Sequence, residues 1–335
     1  MTLPVSPVLP QPPPLDASPA AAACQTLGVE HVTAYRYEAP VELAHHLCYL
    51  RPLQDDSQQV DGYTLDISPA PADYAESLDV FGNRRATFAL YAPHEALTVR
   101  AASQVTVRPR FDGLDPAASA PWEAAAERLR YDAGADYAPE GEFVFPSPYV
   151  PLHGELRDYA LASFTPGRPV ALAAIDLMRR IHRDFTYDPA HTQVSTPILD
   201  AFRQRAGVCQ DFAHVMIGCL RAIGLPARYV SGYLMSQPPP GRPRLIGADA
   251  SHAWVSVHCL GLAVNGGWLD LDPTNDVVPG VSHVILAQGR DYGDVTPLRG
   301  VIRGGGHELS VQVTVAPLAE FPSEPAPPLF PEPDA

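Results

Sequence analysis

Three short segments of the chain carry side chains suited to covalent chemistry. Gly207-Val208-Cys209-Gln210-Asp211-Phe212 supplies a thiol, Ser251-His252-Ala253-Trp254 an imidazole, and Trp268-Leu269-Asp270-Leu271-Asp272-Pro273-Thr274 a carboxylate. A thiol attacks as its anion, so it needs a partner to hold the proton and a third group to fix that partner's tautomer. Cys209, His252 and Asp272 have the types and order for a nucleophile, a general base and acid, and an orienting carboxylate. Each has a plain reading when taken alone: a packed thiol, a core histidine, a turn-forming carboxylate ahead of proline. Their joint occurrence points to catalysis, provided the surrounding elements bring them together.

The elements predicted from the pattern can do so. Phe212, Val215, Met216, Cys219, Leu220 and Ile223 recur at helical spacing, and Gly224 with Pro226 ends the run. Cys209 falls in the first turn, where unpaired backbone N–H groups and the helix dipole favour a thiolate. His252 to Cys259 and Trp268 to Asp272 read as strands joined across the glycine-rich turn Gly261 to Gly267. By the two-residue period His252, Trp254, Ser256 and His258 share one side, as Trp268, Asp270 and Asp272 share another. A register symmetric about the turn sets His252 beside Asp272, whereas a slip of one residue turns Asp272 away. Trp254, facing as His252 does, is a candidate wall of the substrate site, with core packing as its ordinary role. Cys219 and Cys259 read as packing, and His214, off the apolar face, as a solvent or subunit contact. Cys209, His214, His252 and His258 contain no close-spaced ligand pair, and no Asp-x-Asp-x-Asp-Gly loop occurs, so neither metal nor cofactor is expected.

The 335 residues are 46% hydrophobic, enough for about two domains. No apolar run approaches the length of a membrane span. A net charge of -15 argues against nucleic acid and anionic membranes as partners. All 23 basic residues are arginine, so the chain offers no side-chain primary amine. Five scattered cysteines without a paired spacing fit a reducing, cytoplasmic setting. Ala21-Ala22-Ala23-Cys24 is superficially like a lipoprotein cleavage site, but nothing upstream is basic and prolines interrupt the apolar stretch. Residues 1–27 and 318–335 read as disordered Pro- and Ala-rich tails, 28–110 as a small β-rich sandwich-like domain, 111–168 as a connector with a helix near Trp122 to Leu129, and 169–317 as a catalytic core closed by a final strand at Leu309 to Val315.

Gly207 to Ala213, Arg221-Ala222-Ile223-Gly224-Leu225-Pro226-Ala227-Arg228 through Tyr233, His252-Ala253-Trp254 and Asp272-Pro273-Thr274 together resemble the core of the transglutaminase-like superfamily. Residues 28–107 are similar to the β-rich N-terminal domain of its bacterial members, and Gly289 to Pro297 to their C-terminal segment. The resemblance implies an α+β, papain-like fold, with a Cys-bearing helix packed on an antiparallel sheet. It assigns Cys209, His252 and Asp272 as the triad. It implies acyl transfer from a carboxamide through a thioester, resolved by an external amine (transamidation) or by water (deamidation of glutamine), with a protein or peptide as substrate. A cysteine peptidase or amidohydrolase of the same fold, or a non-catalytic protein-binding scaffold, are the competing readings. The oxyanion would be held by the Cys209 backbone N–H and a second donor that the sequence does not identify.

Overall fold

The computed structural model describes residues 24–130, 134, 136–190, 196–236, 251–322 and 329–330. Most of both tails assigned from the sequence lies outside these residues. The first six strands are β1 (Gln25–Val41), β2 (Leu43–Cys48), β3 (Gln58–Ser68), β4 (Asp73–Leu78), β5 (Arg84–Leu90) and β6 (His94–Val107). Then come helices α1 (Trp122–Arg128), α2 (Gly154–Leu161) and α3 (Val170–Asp184), strand β7 (Thr186–Tyr187), α4 (Ile198–Gln204), β8 (Ala206–Gly207) and α5 (Cys209–Arg221). The chain ends with β9 (Ala227–Leu234), β10 (Ser251–His258), β11 (Trp268–Leu271), β12 (His283–Gly289), α6 (Tyr292–Val295), β13 (Leu298–Arg303) and β14 (His307–Pro317). Among the described residues no helix is long and apolar enough to cross a membrane.

Two four-stranded sheets, ordered β14-β1-β6-β3 and β13-β2-β5-β4, form the β-rich domain. Its composition corrects the sequence reading. The strand at Leu309 to Val315 does not close the catalytic core: β14 runs antiparallel to β1, with Val29 opposite Val315 and His31 opposite Val313, and β13 pairs with β2. Burial explains the exchange, because Val313 and Val315 complete the apolar row begun by Leu27 and Val29. The tail boundaries shift for the same reason. Residues 25–27 already belong to β1, and Phe321, just past a short 3-10 turn at Leu318–Glu320, lies where a side chain on Gly28 would otherwise be.

The second domain centres on a sheet ordered β11-β10-β9-β12. Ala253, Val255 and Val257 of β10 share a core with Phe212, Val215, Met216 and Leu220 of α5. α2, within the stretch read as connector, belongs to this core through the fully buried Leu156 and Ala160. The opposite face of the sheet carries Val230, Trp254 and Ile285, which pack against Leu53 of the first domain.

β12 is an edge strand, and its outward backbone groups need partners. Two buried amides of the first domain supply them. Gln58 donates from Nε2 to the Ile285 carbonyl (2.8 Å) and accepts the Ile285 N–H on Oε1 (2.8 Å). Asn83 does the same for Gln288, at 2.7 and 2.8 Å. Asn83→Ala should therefore destabilise the protein by about 2–4 kcal/mol, through two orphaned backbone groups, and Gln58→Ala by somewhat less, since the Ile285 carbonyl keeps the Leu53 N–H at 2.9 Å. Urea denaturation checks this, and a loss of only a few tenths of a kcal/mol would mean the clips are not structural.

Candidate active site

Cys209 is the first residue of α5, and the local sequence fixes it there. β7 and β8 pair in parallel, with Tyr187 beside Gly207, and Asp188 donates to the Gly207 carbonyl at 2.9 Å. Val208, in extended conformation, is the N-cap; the Asp211 carboxylate reaches back to accept its N–H at 2.8 Å. A Cβ on Gly207 would sit 2.5 Å from that carboxylate, so this position has to be glycine. The Cys209 side chain is partly exposed, whereas Cys48, Cys219 and Cys259 are buried. Tyr187 stands half-exposed beside this mouth, its phenol pKa raised by burial and by the Cys209 charge.

α5 is buried on every side from Asp211 to Arg221, which corrects the placement of His214. That residue is only 4% exposed, stacks on Tyr149, and accepts the Tyr292 N–H on Nε2 at 3.2 Å. Burial lowers its pKa to about 3. It is a neutral packing element, not a solvent contact.

The β10–β11 ladder pairs His258 with Trp268, Ser256 with Asp270 and Val255 with Leu271. Continued by one step, this register sets Asp272 opposite Trp254, two residues from the symmetric position. An offset of two keeps the same face, so the carboxylate still reaches the imidazole, now diagonally. His252 Nε2 and Asp272 Oδ2 are 2.7 Å apart. His252 is 7% exposed and Asp272 0%. The remaining ring nitrogen, Nδ1, lies away from that contact and is available to the thiol, and Cys209 acts electrostatically on His252.

Electrostatics follow from this packing. Burial by itself would lower the His252 pKa, but the charge and hydrogen bond of Asp272, with the contribution of Cys209, outweigh it and hold it up at about 10. Burial would raise the Asp272 pKa, yet His252 and then His283 outweigh that and keep the carboxyl well below the usual range. Among the described residues, His252, Asp272 and His283 are the group that could share a metal ion, with one ligand atom each within 4.8 Å of the others. Those same atoms are engaged in mutual hydrogen bonds.

Sequence reasoning missed Thr274, Asn275 and His283. Asp272 Oδ1 accepts the N–H groups of Thr274 (3.0 Å) and Asn275 (3.2 Å), and Oδ2 accepts Asn275 Nδ2 (2.7 Å) and His283 Nε2 (3.4 Å). The Asp-Pro-Thr-Asn string announces the first two, since an aspartate commonly captures the N–H groups just after it. No spacing announces His283. Trp254 is fully buried, with its ring edge-on to His283 at 5.4 Å. It forms the floor under the imidazoles and does not face substrate.

Residues 27–106 match the bacterial transglutaminase-like N-terminal region, and residues 162–273 the transglutaminase-like superfamily core. An uncharacterized protein of Mycobacterium tuberculosis (strain H37Rv) is 41% identical over 289 residues, covering 86% of this chain and 90% of its own. The chain belongs to the transglutaminase-like superfamily. Members of this family are generally cysteine-based enzymes with a papain-like fold. The protein-glutamine gamma-glutamyltransferase of Pseudomonas aeruginosa is 35% identical over 136 residues, 39% of this chain and 20% of that protein. The crystal structure of a candidate cysteine protease from Cytophaga hutchinsonii superposes with a TM-score of 0.67 at 20% identity, over 92% of this chain and 95% of that one. That likeness establishes the fold.

The sign of the pH dependence follows from the two shifts. The raised His252 pKa stabilises the fold fully below the ordinary value of 6.5, and this contribution is lost as pH climbs through about 10. The depressed Asp272 pKa contributes above the ordinary 3.8 and is lost as pH falls below it. Asp272→Asn should cost about 3–5 kcal/mol near pH 5–6, as breaking a buried pair does. The gap to the parent should narrow as pH approaches 10, which urea unfolding at a series of pH values would record; a gap independent of pH would contradict the assignment.

Proposed function

We propose that this protein is a cysteine acyltransferase acting on carboxamides, with Cys209 as nucleophile, His252 as general base and acid, and Asp272 as the orienting carboxylate. One observation carries the reading: a partly exposed thiol stands at a helix N-terminus, within electrostatic reach of an imidazole whose Nε2 is held at 2.7 Å by a fully buried carboxylate. Apolar packing gives no reason to bury that carboxylate beside a thiol. Similarity over the core to a protein-glutamine gamma-glutamyltransferase supports glutamine as the acyl donor.

The steps run as follows. The Cys209 sulfur forms a bond to the carboxamide carbon, and the oxyanion is held by backbone N–H groups at the start of α5. When the tetrahedral species collapses, the carbon–nitrogen bond breaks and His252 gives its proton to the departing ammonia. A thioester remains. An external amine or water then attacks it, His252 takes the proton from the attacker, and the sulfur leaves as thiolate. An amine yields a new amide and water yields glutamate. The chain contains no lysine, so side-chain acceptor amines come from another molecule. The substrate is a protein or peptide, and no cofactor enters the chemistry. Five unpaired cysteines support a cytoplasmic location as part of the proposal.

Iodoacetamide at neutral pH should label Cys209 at least about tenfold faster than the buried Cys219, and equal rates would remove the activated thiol. With a glutamine-containing peptide and an alkyl amine, mass spectrometry should show amine incorporation or a gain of about one dalton, by the two outcomes of thioester breakdown. Cys209→Ala should abolish both. Two fragments in place of either product would make the protein a peptidase, and no product under any of these conditions would favour the scaffold reading.

A further inference from the structure

We infer that His283 is a positioning residue of this site: a second imidazole that shares the Asp272 carboxylate with His252 and so sets how strongly His252 holds its proton. The inference rests on the acyl-transfer reading, and it concerns a residue from a different strand.

The geometry is specific. His283 opens β12, on the far side of β9 from β10. In the sheet His252 lies opposite Gly232, and Gly232 opposite Ile285, so His283 two residues earlier faces the same way as His252. Gly232 keeps the space between them clear. A Cβ there would collide with the Trp254 ring and the Val284 carbonyl, and that ring is the surface His283 rests on. His283 Nδ1 is 3.3 Å from the Ser282 hydroxyl, which leaves Nε2 to donate to Asp272 Oδ2 at 3.4 Å. His283 is buried, like His252 and Asp272.

Three donors therefore meet on one oxygen: His252 and Asn275 at 2.7 Å each, and His283 at 3.4 Å. A hydrogen bond from His283 stabilises the carboxylate and draws electron density from the side that serves His252. The long contact fits a partner that is secondary while His252 is an imidazolium. It can close when His252 has given its proton away and Asp272 has lost its ionic partner. Without this donor the carboxylate would hold the His252 proton more tightly, and His252 would be a weaker acid toward the leaving group. The ionisable groups around His252 are Asp272, Cys209 from α5 and His283 from β12, with Asp276 and His182 of α3 acting on the same loop.

The test uses the full chain and three variants. His283→Phe keeps a ring on Trp254 without a donor, His283→Gln keeps a donor, and His283→Ala replaces the Phe variant should that one not fold. The imidazole titration of His252, followed by NMR, and the pH profile of Cys209 alkylation are the readouts. Phe or Ala should raise the His252 midpoint by at least about half a pH unit, about threefold in the proton equilibrium, and Gln should return it toward the parent. A midpoint unchanged in the donor-less variant, or one moved equally by Gln, overturns the inference. Failure of Cys209 to react preferentially in the parent overturns the underlying acyl-transfer reading instead, so the two failures are distinguishable.

Discussion

The carboxylate of Asp272 is the constraint around which the second domain is arranged. It is removed from water altogether, and a buried anion without compensation costs several kcal/mol. Compensation comes from two backbone N–H groups, one side-chain amide and two imidazoles. Those donors arise from the loop after β11, from β10 and from β12, so three separate stretches of chain must converge for the charge to be tolerated. The tight loop itself is held by Asp272 donating its backbone N–H to the Val277 carbonyl at 2.9 Å. A network satisfied this fully fixes its members in place, and the orientation of His252 toward Cys209 is a consequence.

The N-terminal sandwich takes part in that convergence. Gln58 grips Ile285 and Asn83 grips Gln288, both on the strand that His283 opens. Without those clips the edge of β12 would keep only the Leu53 N–H on the Ile285 carbonyl, and the registration of His283 against Asp272 would rest mainly on its pairing with β9. The cores also merge: Leu27, Val29, Val105 and Val107 of the sandwich belong to the same apolar cluster as Phe212, Met216 and Leu220 of α5. The β-rich domain is thereby a structural wall of the second domain.

Much of this was legible in the chain. The helical period from Phe212 onward located α5, and the two-residue period of β10 and β11 put His252, Trp254 and Asp272 on one side. Parity carried the argument where register did not: the real ladder is offset by two from the symmetric guess, and an even offset preserves the face. What escaped was everything set by long-range pairing. The final strand looks like any amphipathic strand, and only the apolar row of β1 determines that it pairs there. His214 was misjudged because a helix wrapped on both sides buries even its polar positions, and a single-face pattern cannot reveal that; of the two roles open to Trp254, its burial fits core packing. His283 carries no local signature because its partner lies across the sheet.

The return of the chain to its starting domain has a further consequence for how the site is held. β13 and β14 follow the second domain in sequence yet pair with β2 and β1 in the first sheets, so the second domain is an insertion between strands of the sandwich, which is complete only when the chain returns from it. Removing β14 would strip β1 of one neighbour along its length and expose Leu27 and Val29, which also serve the core under α5. Stability of the sandwich and placement of Cys209 are therefore not separable quantities. Loosening either the amide clips on β12 or the β1–β14 ladder acts on the same apolar cluster, and through it on the helix whose first residue is the thiol.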